Sequence, residues 1–121
     1  MLTVHHLNLS RSKRVLWLLE ELGAEYELVK HQRDKVTRLA PSSLKAIHPL
    51  SKAPVIVDGE FTLCESSTIC EYILNKYGQG RLRPSADVPE YYAYLEWSHF
   101  AEGSLALPVI TNMFMQMENR K

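Results

Sequence analysis

Two cysteines, Cys64 and Cys70, are all that this chain of 121 residues carries. They are too few for a disulfide scaffold and are not spaced as CxxC, which argues against both a zinc site and a redox dithiol and leaves two small, buried apolar side chains as the expectation. No run of Lys or Arg interleaves with aromatics, and 14 basic residues against 14 acidic ones leave no formal charge. The electrostatic footprint of a nucleic-acid binder is therefore missing. No apolar stretch reaches the length of a membrane span, and the opening MLTVHH lacks the basic region, apolar core and cleavage site of a leader. No membrane partner and a cytoplasmic location are expected. Adjacent strand residues His5 and His6 point to opposite faces, and His31, His48 and His99 lack companions at ligand spacing, so no metal is expected either. Internal repeats and low-complexity tracts are also lacking. The length is one domain's worth, enough to bury roughly two-thirds of the unfolded surface.

The most informative run is KAPVIVDGEFTLCESSTICEYI, Lys52 to Ile73, which reads as a cradle for a peptide thiol. Val55, Ile56 and Val57 form a short β-branched run, Asp58-Gly59 supplies the positive φ angles of a two-residue hairpin turn, and Phe61 and Leu63 alternate with polar residues on the return. Such a turn sets Ile56 opposite Phe61 and Pro54 opposite Leu63, with both faces of the pair buried. Pro54 has no N–H to give to a ladder, so it belongs at the strand's first position. A cis bond there would leave the backbone groups of Ala53 free to pair with an extended ligand; the alternative is an ordinary edge hairpin with a trans proline. Glu65, Ser66 and Ser67 then open a helix whose Ile69, Ile73 and Tyr77 recur at helical spacing. Its first N–H groups and its dipole suit a ligand carboxylate, and Glu65 suits a ligand ammonium; plain serine capping is the alternative.

Upstream, Leu2 to Leu7 reads as a strand and Asn8 to Arg11 as a turn. A helix follows from Ser12 to Leu22, with Val15, Leu18, Leu19 and Leu22 on one face and Gly23 where a left-handed cap belongs. Residues 25–32 form a second strand. Residues 36–47 form a loop and short helix that ends before Pro49. The order is strand, helix, strand, short helix, strand, strand, helix: the first helix implies a parallel right-handed crossover, the hairpin an antiparallel pair. Residues 78–89, rich in Gly, Pro and charge, form a linker. From Glu90 the chain is helical again, and Leu105 to Met117 are apolar nearly all round, which calls for burial on several sides. Pro108 is expected to kink or divide that helix. His99 and Glu102, one turn apart on it, read as polar surface groups.

The 52–73 block resembles the glutathione-binding half of the cytosolic glutathione transferases. HHLNLSRSKRVLWLLEELGAEYE resembles their bacterial members with a serine near the first strand, and LRPSADVPEYYAYLEWSHFAEGSLALPV resembles the linker and first helix of their second domain. The order and spacing of the three blocks make the match strong, and they cover most of the chain. The resemblance implies an α/β, thioredoxin-like βαβ-α-ββα domain over residues 1–80, a linker over 81–89, and over 90–121 the opening helix of an all-helical domain that continues in relatives as a bundle. It implies glutathione as co-substrate, a small electrophile as second substrate, a homodimer, and a role in detoxification.

By the same resemblance the catalytic hydroxyl is that of Ser10, for which a cap or turn residue is the alternative; Ser12 is the competing hydroxyl or the true cap of the helix, and Asn8 and Arg11 assist it or order the turn. A hydrogen bond to a charged acceptor contributes about 1.5 to 3 kcal/mol, enough to lower a thiol pKa by roughly one to two units. The γ-glutamyl head group is assigned to Glu65 and Ser66, the cysteinyl backbone to Ala53 before Pro54, and the glycyl carboxylate to Lys52. Many relatives carry valine at the position of Ala53, where contact through the backbone makes the difference small. Two other functions stay open: a non-catalytic glutathione-binding or dimerisation module, and a glutathione-dependent disulfide reductase.

Overall fold

In a computed structural model, which describes residues 1–119, two compact units are present, Met1–Arg81 and Leu82–Lys121. The first is built on a four-stranded sheet in the order β2-β1-β3-β4. Strand β1 (Leu2–Leu7) pairs in parallel with β2 (Glu27–His31) and antiparallel to β3 (Val55–Asp58), which pairs antiparallel with β4 (Phe61–Cys64). Helix α1 (Ser12–Leu22) makes the crossover, α2 (Ser42–Lys45) lies between β2 and β3, and α3 (Ser66–Tyr77) follows β4. This is the thioredoxin-like arrangement that the element order predicts.

The helices form where the apolar spacing requires. Val15, Leu19 and Leu22 of α1 and Ile69, Ile73 and Leu74 of α3 close over Leu2, Val4 and Ile56 of the sheet in one core. Helix α1 stops at Gly23, whose φ of 65° lets its N–H reach Glu20 and the next N–H, of Ala24, reach Leu19. That is the left-handed termination for which glycine is suited. Leu7, Leu44 and Val55 are also buried, outside this cluster. Alternation along β1 sets Leu7 and His5 on the face opposite Leu2 and Val4.

The hairpin register differs from the expectation by two residues. Asp58 pairs with Phe61 and Ile56 with Leu63, so Gly59 and Glu60 make the turn and Asp58 remains in the strand. Its carboxylate gives the reason: it accepts hydrogen bonds from the hydroxyls of Tyr72 (2.8 Å) and Tyr77 (2.8 Å) and from Lys76 Nζ (2.7 Å), all on α3. The slip is even, so each side chain keeps its face. The pair is not buried on both faces, since Phe61 is half exposed and stacks on Tyr72. Strand β2 is shorter than residues 25–32.

In the second unit α4 (Glu90–Phe100), a π turn (Ala101–Leu105) and α5 (Ala106–Glu118) form one helical run. Pro108 lies inside α5 and does not break the run; the π turn precedes it, where the N–H of Ala106 reaches back five residues to Ala101, shortly before the ring that lacks a donor and crowds the preceding turn. Residues 120 and 121, which the expected helix includes, lie outside the described residues. The expected burial is not found, because the helical run holds no buried residue.

Candidate functional site

Three segments of the first unit meet at one end of the sheet. Strands β1 and β3 are antiparallel, as are β3 and β4, so the C-terminal end of β1, the N-terminal end of β3 and the C-terminal end of β4 lie together. These ends carry Asn8 to Ser12, Lys52 to Pro54, and Glu65 with Ser66. All the sequence-predicted site residues therefore fall on one edge of the fold.

Each segment is held in a conformation that its local sequence does not favour. Leu9 has φ 52°, Ser51 φ 53° and Glu65 φ 75°, three non-glycine residues in the left-handed half of the map, each adjacent to or part of a predicted site segment. Positions of this kind cost about 1 to 3 kcal/mol each and persist only where the surrounding structure over-determines them. At Leu9 the restraint is Arg33. Its backbone N–H donates to Asn8 Oδ1, its Nε to the Asn8 carbonyl and its Nη2 to the Leu9 carbonyl. Nothing in the spacing of the sequence points to Arg33, which comes from the far end of β2.

Ser10 is half-buried in the turn before α1. Its hydroxyl donates to the Leu7 carbonyl at 2.7 Å, lies 2.6 Å from Ser12 Oγ and accepts the Ser12 N–H at 3.2 Å. Ser12 is fully buried and is the first residue of α1, with Arg11 in the capping position. Ser12 does not cap the helix: its Oγ turns back to His6 Nδ1 at 2.6 Å, to the Leu7 N–H at 3.3 Å and to the Leu7 carbonyl at 3.3 Å. His6 is the functional candidate that sequence reasoning missed. Strand alternation was the available signal, since it sets His6 on the face of Leu2 and Val4, where α1 packs. Burial, with Lys13 and Lys30 nearby, holds the His6 imidazole below its ordinary range, so the neutral ring prevails at pH 7.

Ala53–Pro54 is a cis peptide, the isomer considered from the sequence, with Pro54 buried, Ala53 half-buried and Lys52 exposed. Glu65 is exposed and occupies the capping position of α3, where its side chain makes no capping bond. Ser66 is buried as the first helical residue. The serines do not cap this helix, so its first-turn N–H groups stay directed out of its end, the disposition that attracts an anion.

Behind the sheet His5 Nδ1 lies 3.1 Å from His31 Nε2, and His31 Nδ1 lies 2.8 Å from Ser43 Oγ. His31 thus has a companion that sequence spacing did not reveal, across the β1–β2 pairing. Burial, then the neighbouring imidazole, lowers the pKa of His5. Among the described residues no group of three or more His, Cys, Asp or Glu could hold a metal ion. No helix among them is long and apolar enough to cross a membrane. Both cysteines are free and partly buried, and burial pushes the Cys70 thiol up.

The first unit is thus a thioredoxin-like sheet whose open end carries a cis-proline, a helix N-terminus and a strand-end hydroxyl. Residues 2–75 match the family described as glutathione S-transferase, N-terminal domain, and the chain belongs to that family. It is 41% identical to glutathione S-transferase 3 of Schizosaccharomyces pombe, over 87% of this chain and 43% of that protein. A solved glutathione S-transferase from Actinobacillus pleuropneumoniae is 42% identical, with a TM-score of 0.76 over 80% of this chain and 46% of its own. A glutathione transferase from Phanerochaete chrysosporium, solved in complex with oxidized glutathione, is 29% identical, with a TM-score of 0.63 over 82% of this chain and 47% of its own. The chain spans about half the length of the curated relatives it matches.

Proposed function

We propose that the protein binds glutathione at the open end of the sheet and activates its thiol for attack on a small electrophile. The observation that carries this reading is the meeting of a hydroxyl donor, a cis Ala53–Pro54 segment and the free N-terminus of α3 on one edge. In this reading the ligand's cysteinyl backbone pairs with Ala53, and its γ-glutamyl carboxylate sits at Ser66 on the end of α3. Its ammonium faces Glu65, and its glycyl carboxylate reaches toward Lys52. The Ser10 hydroxyl, which donates to the Leu7 carbonyl at 2.7 Å, swings to the sulfur. A charge-assisted bond of this kind favours the thiolate by about 1.5 to 3 kcal/mol. The thiol's proton goes to water, and the thiolate forms a carbon–sulfur bond with the electrophile as the leaving group departs with its bonding pair or, in an addition, as the carbon–carbon π bond opens and takes a proton from water. The dipole of α1 adds to the effect.

Attack on a disulfide instead of a carbon electrophile needs the same thiolate, and the oxidized glutathione held by the Phanerochaete relative favours it as a second reading. The proposal extends to a glutathione-binding domain over residues 1–80, a linker over 81–89 and a helical domain from 90 onward, in a cytoplasmic homodimer with a detoxifying role. The apolar side chains of α5 support the dimer. Leu107, Phe114 and Met115 are each about 60% exposed, and a few hundred Å² of such surface is worth several kcal/mol at about 25 cal/mol per Å². The test is an ultraviolet titration of glutathione bound to the full-length protein, paired with turnover of a chromogenic electrophile. A depressed thiol pKa together with turnover is expected. A thiol that ionises as in free solution would overturn the reading.

A further inference from the structure

The hydroxyls at the end of β1 have fewer protons than contacts, and the shortest contacts set the direction of the hydrogen bonds among them. A serine hydroxyl has one proton to give and two lone pairs to fill, while a carbonyl can only accept. Ser10 gives its proton to the Leu7 carbonyl at 2.7 Å. Its 2.6 Å contact with Ser12 Oγ must then be made with the proton of Ser12, which goes there in preference to the Leu7 carbonyl 3.3 Å away, an acceptor that Ser10 already occupies at the shorter distance. That proton is now spent, so the 2.6 Å contact between Ser12 Oγ and His6 Nδ1 must be made with a proton on the imidazole. The remaining lone pairs are filled by backbone donors. The N–H of Leu7 reaches Ser12 Oγ at 3.3 Å, and the N–H of Ser12 reaches Ser10 Oγ at 3.2 Å.

We propose that His6 and Ser12 are positioning residues for the proposed thiol chemistry: His6 donates from Nδ1 to Ser12, Ser12 donates to Ser10, and Ser10 can therefore only donate to whatever is set against it. The inference rests on the reading of Ser10 as the thiol-activating hydroxyl and adds the reason why that hydroxyl presents its proton and not a lone pair. When a thiolate arrives, only the outermost bond moves, from the Leu7 carbonyl to sulfur. The inner bonds are already aligned with it, and aligned hydrogen bonds polarise one another. No proton changes owner. Because Ser12 is fully buried, water has no access through which to reverse the order.

Two measurements on the full-length protein test this. Nitrogen-15 NMR of the imidazoles reports the tautomer directly, and His6 is expected to carry its proton on Nδ1; a bare Nδ1 overturns the proposal, whatever the protein does with glutathione. The second measurement is the thiol pKa of bound glutathione, with kcat/KM, in His6→Leu, Ser12→Ala, the double variant and His6→Asn. His6→Leu and Ser12→Ala are each expected to raise the thiol pKa and lower kcat/KM by about three- to tenfold with glutathione affinity kept, as loss of one link of a polarised chain implies. The double variant should lose no more than the worse single one, because the links act in series. His6→Asn, whose amide N–H can stand in for Nδ1–H, should recover most of the loss. Additive losses, or an Asn variant as poor as the Leu variant, overturn the chain. A wild-type protein that leaves the thiol pKa unshifted defeats the reading of Ser10 instead, and the tautomer then decides the hydrogen-bond order alone.

Discussion

Arg33 holds Asn8 from two directions, its backbone N–H on the side-chain Oδ1 at 2.8 Å and its Nε on the backbone carbonyl at 3.0 Å. The contact ties the end of β2 to the turn that carries Ser10. Arg33→Met keeps the aliphatic stem and removes the guanidinium donors, leaving the carbonyls of Asn8 and Leu9 to water. A stability loss of about 1 to 3 kcal/mol is expected in thermal or urea unfolding. Turnover should fall more than glutathione affinity, since the loop, not the cradle, is loosened. Equal losses in both would show that Arg33 supports the whole edge.

Ser10→Ala removes the outermost hydroxyl while leaving the cradle intact. Glutathione-dependent turnover is expected to fall at least about tenfold, equivalent to about 1.4 kcal/mol of transition-state stabilisation, with glutathione affinity nearly unchanged. Steady-state kinetics on Ser10→Ala beside Ser12→Ala identify the hydroxyl that acts. Full activity in the first and none in the second would move the role to Ser12.

At the head-group end, Glu65→Ala and Ser66→Ala are each expected to weaken glutathione binding more than they destabilise the fold. Calorimetry of binding beside thermal unfolding measures both quantities. Glu65 is exposed, and its backbone strain would also weigh on alanine, so its loss should appear mainly as affinity. Unaltered affinity in both variants would remove the proposed orientation of the peptide.

Lys76, then the two tyrosine hydroxyls, holds the Asp58 carboxyl at about 2, below the usual value near 3.9. A carboxylate whose pKa is depressed by folding stabilises the native state fully above its unfolded pKa, and that contribution fades as pH falls through the native one. Stability should therefore decline between about pH 4 and pH 2, and Asp58→Asn should flatten that part of the profile. The Asn variant should also lose about 1 to 2 kcal/mol near neutrality, where the charged partner is gone. Unfolding midpoints across that range in the two proteins check the assignment.

For the helical run, light scattering of the full-length protein is expected to report twice the chain mass. Phe114→Glu with Met115→Glu should lower it to one chain. A wild-type monomer that resists proteolysis through Met117 would sink the dimer.

Much of the first unit was legible because its signals are local. The spacing of Val15, Leu19 and Leu22, the glycine at 23 and the β-branched run before Pro54 each name an element without reference to the rest of the chain. The turn at 59–60 was misread because Asp58-Gly59 is a strong hairpin signal on its own, and the three α3 donors that keep Asp58 in the strand arrive 14 to 19 residues later. Arg33 was invisible for the same reason, being 25 residues from Asn8. Ser12 is a reasonable cap by type and position, and only the packing of β1 under α1 turns its hydroxyl toward His6. The apolar ring of α5 was read correctly as composition, but composition does not say what covers it.

By binding the hairpin to α3, the Asp58 anchor makes β3, β4 and α3 a single block, while the Arg33 clamp makes β1, the Ser10 turn and β2 another. The proposed peptide-holding groups all belong to the first block and the proposed thiol-activating groups to the second. On the proposed assignment, affinity and reactivity come from different stretches of the chain. Exchanging residues 1–40 with those of a relative should transplant the thiol chemistry and leave recognition of the peptide behind, and substrate range could diverge in one half without retuning the other.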